Sequence, residues 1–123
     1  MTPVVSKKGI NIAFCENMIA RAERYQVDCP VQFTHEGDDS GEGRVINISL
    51  NGCAIRSSAR VEEGDLIALQ LELAPTAQII QIEMARVRWA KNDEFGIEFL
   101  FTYEKERKVL LRFLRTIAVQ FIH

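Results

Sequence analysis

The chain has 123 residues, 47% hydrophobic and 26% charged, which predicts one globular domain with its own core and excludes wholesale disorder. Fifteen basic residues against 17 acidic ones leave a net charge of −2, whereas a nonspecific binder of duplex nucleic acid is strongly basic. The apolar runs are too short for a membrane-spanning helix. The segment after Lys7 and Lys8 is too short for a secretory signal, and Cys15, Cys29 and Cys53 lack paired spacing, so a cytoplasmic protein with reduced thiols is expected.

Residues 1–13 are weakly patterned, and residues 1–19 are read as an N-terminal arm ahead of a domain over 20–123. Residues 16–24 suit a short helix, marginal without packing. From Tyr25 to Phe33, Tyr25, Val27, Cys29, Val31 and Phe33 alternate with polar residues and Pro30, the signature of a half-buried strand. Pro30 lacks an N–H, so the strand lies at an edge or that bond points outward. The HEGDDSGEG stretch is a polar turn. EGRVINI is a second strand, SLNG a tight connection and GCAIRSS a third strand.

After the ARVEEGD turn, Ile67, Leu69, Leu71 and Leu73 share one face of a fourth strand. The fifth strand, IIQIEMARVRWA, changes phase: Ile80, Ile82 and Met84 share one parity, and Ala85, Val87 and Trp89 the other. A bulge near Ala85 accounts for the switch. KNDE is a hairpin turn, and FGIEFLF returns with Phe95, Ile97, Phe99 and Phe101 on one face. The last segment changes period. Leu110, Phe113, Leu114, Ile117 and Phe121 recur at three and four, a helical stripe, with Thr102 as its cap and Glu104 and Glu106 at the positive end of its dipole. The chain is therefore mainly β: a six-stranded antiparallel barrel with a C-terminal α-helix.

Hydrolytic and redox chemistry find no support, and no enzyme is expected. His35 sits in a turn and His123 is the last residue. Neither has metal-ligand spacing, and there is no CxxC, Walker loop or nucleophile elbow. No metal or cofactor is called for. Cys29 and Cys53 occupy inward strand positions and read as core. Asp38 and Asp39 read as a solvated turn.

Two segments carry a more specific signal: Arg21-Ala22-Glu23-Arg24 just before the first strand, and Asn47-Ile48-Ser49-Leu50-Asn51-Gly52 between the second and third. Here the chain resembles the PilZ domain, a bacterial receptor module for cyclic di-GMP. That family carries an arginine pair ahead of its first strand and an [Asp/Asn]-x-Ser-x-x-Gly motif after its second. Asn47, Ser49 and Gly52 match the motif, and FGIEFL with the helix after it resembles the family's end. The family's arginines are usually spaced RxxxR; here only two residues separate Arg21 from Arg24, and Ala20 stands at the expected first position.

The resemblance implies a PilZ-type barrel that binds cyclic di-GMP through Arg21, Arg24, Asn47, Ser49 and Gly52. Arg88 and Trp89 stand where family members often add a ligand contact. Arginine suits such a ligand because it forks onto phosphate, pairs with guanine and stacks on bases. Asn47 and Ser49 offer short polar groups at a strand end. Gly52 permits close backbone approach or a positive φ. Ligand binding would order the arginine segment and signal to a protein effector in motility, pilus or biofilm output. The alternative is a nucleotide-independent PilZ-fold adaptor, which the altered arginine spacing favours. Trp89 alone is poor support for a single-stranded nucleic-acid module. Val109, Leu111 and Val119 lie off the helix's main stripe and leave a partner surface or homodimer open. On their own, the arginines read as a solvated helix face, NISLNG as a hairpin loop, Arg86 with Arg88 as an outward basic stripe, and Trp89 as a core or rim residue.

Overall fold

The computed structural model describes residues 23–35 and 40–122, with side chains to 119. The arm, Cys15, Arg21, Asp38, Asp39, His123 and the side chain of Phe121 lie outside the described residues. So does most of the expected helix over 16–24; Glu23 and Arg24 are non-helical because the chain leads straight into an extended strand at Tyr25.

Six strands follow: β1 (Tyr25–His35), β2 (Ser40–Ile48), β3 (Gly52–Arg56), β4 (Leu66–Leu73), β5 (Gln78–Lys91) and β6 (Glu94–Phe101). All neighbours are antiparallel, and the order β1-β2-β3-β6-β5-β4 closes into a barrel. Closure occurs because β1 pairs with both β2 and β4, which leaves no free sheet edge. The β1–β4 ladder runs from Val31 to His35, so Pro30 stands just beyond it. A barrel therefore tolerates this proline without an edge strand.

Strand β2 reaches further back than the turn-rich sequence suggests. Gly41 and Gly43 pair with Phe33 and Val31, and ladder pairing overrides their weak strand propensity. The KNDE hairpin forms as expected, with Asn92 at φ 56, a conformation that asparagine tolerates.

The inward-facing residues are those that the alternation marks. Cys29, Val31, Val45, Ile55, Leu69, Leu71, Ile82, Phe95 and Ile97 are buried, and the Phe33 and Phe95 rings meet edge to face with centroids 5.5 Å apart. Val27 and Phe99 are partly buried against this core. The phase change in β5 is real. Against β4, β5 carries one extra residue between Ile82 and Ala85, which leaves both of these buried and Met84 exposed.

Two expected inward residues are not inward. Phe101 is exposed, because β6 carries one extra residue against β5 between Phe99 and Phe101; its ring meets that of Tyr103 instead. Trp89 is exposed because a second irregularity of β5 separates it from Val87.

Helix α1 (Glu104–Ile122) packs on β5 and β1 through buried Leu110, Phe113 and Leu114, with Ile117 partly buried. It begins one residue later than a Thr102 cap requires. The carbonyl of Tyr103 accepts the first bond, from the N–H of Arg107. Val109 and Leu111 also pack against the core, so much of the helix's apolar surplus is spent inside; Val119 remains exposed. Among the described residues no helix is long and apolar enough to cross a membrane.

Candidate functional site

Segments distant in sequence meet in a groove of about 780 Å³ on the barrel's outer wall. It is lined by Glu23, Arg24, Asn47, Ser49, Asn51, Cys53, Ala54, Arg88, Trp89, Gly96, Ile97 and Glu98. The volume lies within the ~300–1,000 Å³ typical of small-molecule sites. A concavity of about 580 Å³ elsewhere on the wall is lined by Gln32, Gln70, Gln81, Glu42 and Glu83 among others. Its lining includes no lysine or arginine to meet an anion.

Two bulges build the groove. On β2, one extra residue against β3 lies between Val45 and Asn47, so Val45 and Ile48 are both buried and Asn47 turns away from the core. On β5, one extra residue against β6 lies between Val87 and Trp89. Arg88 and Trp89, adjacent in sequence, are consequently both exposed on the groove side. Re-aiming a side chain in this way is a recurrent use of bulges beside functional sites. Trp89 sits opposite Gly96, and its indole occupies the space that a Cβ at Gly96 would need. The ring thus lies over the β6 backbone while remaining 44% exposed.

The turn after β2 is held from within. The N–H of Ser49 donates to the carbonyl of Gly52 at 2.8 Å. The Ser49 hydroxyl donates to the same carbonyl at 3.3 Å and accepts from the N–H of Asn51 at 3.2 Å. Ser49 is only 4% exposed, so its hydroxyl is spent chiefly on the turn. The carbonyl of Asn51 then accepts from the N–H of Phe99 at 2.8 Å, which ties the turn to β6. Gly52 does not line the groove. It is required for close approach: a Cβ there would fall well inside 3.0 Å of the Ile97 carbonyl oxygen. Its φ is not in the left-handed region, which among the described glycines only Gly64 enters.

The charges along the groove are balanced. Arg24 donates through Nη1 to Oδ1 of Asn47 at 2.9 Å, which leaves other guanidinium donors to spare. Arg88 Nη1 lies 3.4 Å from Oε1 of Glu98, with the two side chains 57% and 48% exposed. Glu23 adds a second carboxylate at the rim. On the floor, burial pushes the Cys53 thiol far up, although Arg24 acts in the opposite sense. That thiol is therefore packing and not a nucleophile. Among the described residues no cluster of His, Cys, Asp and Glu could hold a metal.

Of the residues that the sequence singled out, Arg24, Asn47, Ser49, Arg88 and Trp89 come together here, Gly52 shapes the turn beside them, and Arg21 lies outside the described residues. Sequence reasoning missed Glu23, Asn51, Gly96 and Glu98. Glu98 was readable as an outward residue of FGIEF, but its pairing depends on the β5–β6 register.

The PilZ domain model matches residues 19–116. The chain belongs to the PilZ domain family, whose members are receptor and adaptor proteins for cyclic di-GMP. Among solved structures it is similar to the Bacillus subtilis inhibitor of motility MotI/DgrA, with 22% identity and a TM-score of 0.67 over 79% of this chain and 50% of that one. It thus spans half the length of that protein. It is similar to the PilZ domain of CeSA from a cellulose-synthesizing bacterium, with 15% identity and a TM-score of 0.62, covering 79% of this chain and 99% of the other. It is also similar to the PilZ domain of YcgR from Escherichia coli, whose structure contains c-di-GMP. There the identity is 14% and the TM-score 0.65, covering 81% and 92% of the two chains. No curated protein sequence matches the chain.

Proposed function

We propose that this chain is a cyclic di-GMP receptor that takes the dinucleotide into the groove between Arg24, the residue 47–52 turn, Arg88 and Trp89. The observation that carries the reading is the convergence of Arg24, Asn47, Arg88 and Trp89 on one groove, although they come from segments far apart in sequence. The chemistry suits the ligand. Arg24 and Arg88 supply planar donors for phosphate oxygens or a guanine edge, and Trp89 offers an exposed ring for stacking. The c-di-GMP held by the YcgR domain supports the assignment.

Ser49 acts through the turn it closes, and Gly52 through the spacing it permits. Arg21 joins the site when ligand orders the arginine segment against the barrel, a population shift toward the arrangement that binds better. The chain is a signalling adaptor and not an enzyme, works in the cytoplasm, and passes the changed surface to a protein effector. The similarity to a motility inhibitor supports motility as the output.

Calorimetric titration tests this reading. Wild type binds cyclic di-GMP, more weakly as salt rises because the ligand is a dianion. Arg24→Ala loses roughly ten- to a hundredfold, as expected for one charge-assisted bond of ~1.5–3 kcal/mol. No heat at millimolar ligand removes the receptor reading. A nucleotide-independent adaptor then takes its place, a reading favoured by the balanced charges Glu23, Arg24, Arg88 and Glu98 along the groove.

A further inference from the structure

Glu98 is an unexpected neighbour for an anion. It stands on the outer face of β6, with Gly52 opposite it on β3 and Arg86 opposite it on β5. Gly52 has no side chain to offer, so the partners within reach lie on β5. The carboxylate is found not on Arg86 but within 3.4 Å of Arg88, the bulged residue that lines the groove. Both members of that pair are about half exposed.

We propose that Glu98 is an internal competitor that occupies Arg88 when the groove is empty and hands it over when an anionic ligand arrives. This rests on the reading of the groove as a cyclic di-GMP site and adds the element that sets its affinity. A phosphate entering the groove carries the same charge and the same acceptor geometry as the Glu98 carboxylate, and both compete for one planar guanidinium. The exchange is cheap because the pair is exposed to water and because Arg86, directly across the ladder from Glu98, receives the displaced carboxylate. Glu98 is thus a positioning and affinity-setting residue. It keeps Arg88 aimed along the groove before ligand arrives, and it lowers affinity by the strength of the contact that must break.

A double-mutant cycle in calorimetry separates this from a diffuse charge effect. Glu98→Gln keeps the shape and removes the charge, so cyclic di-GMP binds about two- to fivefold more tightly, the range of an exposed ion pair. In the Arg88→Ala background the same change brings little gain, because the contact it relieves is already absent. Arg86→Gln weakens binding when Glu98 is present and has little effect in the Glu98→Gln background. An equal gain from Glu98→Gln with and without Arg88 overturns the hand-over and leaves only general repulsion. Unchanged affinity in Glu98→Gln, while Arg24→Ala still loses binding, overturns the proposal and leaves the site in place. If neither wild type nor Glu98→Gln binds at millimolar ligand, the site and the competitor fall together.

Discussion

Replacing Gly52 by alanine adds one methyl group at the point where β3 crosses closest to β6. That methyl would fall well inside 3.0 Å of the Ile97 carbonyl oxygen, with the Ile97 carbonyl carbon at 3.3 Å and the Glu98 Cα at 3.4 Å. All three are backbone atoms of a paired strand, so no rotamer change relieves the contact, and β3 and β6 must separate. Overpacking of this kind costs ~1–3 kcal/mol. Loss of glycine's freedom in the unfolded chain offsets ~0.4–1 kcal/mol of it. The net expectation is a destabilisation of about 1–2 kcal/mol and a fall in Tm of about 3–10 °C. Urea unfolding followed by far-ultraviolet circular dichroism measures it, with the slope unchanged if only the native state is affected. The same separation strains the bond from the Phe99 N–H to the Asn51 carbonyl, so the turn shifts and ligand affinity falls with stability. A Gly52→Ala protein within ~0.5 kcal/mol of wild type would refute the close-approach account of this position.

Gly96→Ala should behave differently, because the added methyl meets the Trp89 indole and not backbone. The half-exposed ring swings away, so affinity is expected to fall more than stability, read by titration beside thermal unfolding. Asp65 supplies an acid limb. The backbone N–H of Glu62 foremost, and the His35 ring at 2.7 Å, hold its carboxyl below the ordinary 3.8. That stability is fully present above the ordinary value and is lost as pH falls through the lowered one, so Asp65→Asn should flatten stability against pH below about 4 in urea titrations. A homodimer through the helix would run over Val119, which is 54% exposed. Val119→Glu should then shift sedimentation toward monomer without loss of stability, and a wild type that is monomeric at high concentration removes the dimer.

The barrel was legible because period-two alternation survives wherever a strand has one wet face. Ile67, Leu69, Leu71 and Leu73 mark β4 without ambiguity, and all four are buried. The β5 bulge near Ala85 could be read because apolar residues switch parity there. The bulges that matter most for the site could not. Val45, Ile46 and Ile48 are all apolar, so the sequence does not say which of them leaves the core, and hence that Asn47 faces out. Trp89 follows the buried Val87 at strand spacing, and only the pairing of Trp89 with Gly96 reveals the extra residue that turns it outward. The motif at Asn47, Ser49 and Gly52 was visible as a pattern, but its division of labour required the hydrogen bonds of the turn. The pairing of Glu98 with Arg88 is diagonal across a bulged ladder, beyond the reach of linear spacing.

The central claim, that the groove at Arg24, Asn47, Arg88 and Trp89 receives cyclic di-GMP, is tested most directly by mapping amide and indole chemical shifts during titration. The chain has one tryptophan, so its indole N–H gives a single assignable signal. The expected result is saturable movement of the Trp89 indole and of the amides of Asn47, Asn51, Arg88 and Gly96, with the Gln32, Gln70 and Gln81 wall unmoved. Movement centred on that wall, or no movement at millimolar ligand, would contradict the claim.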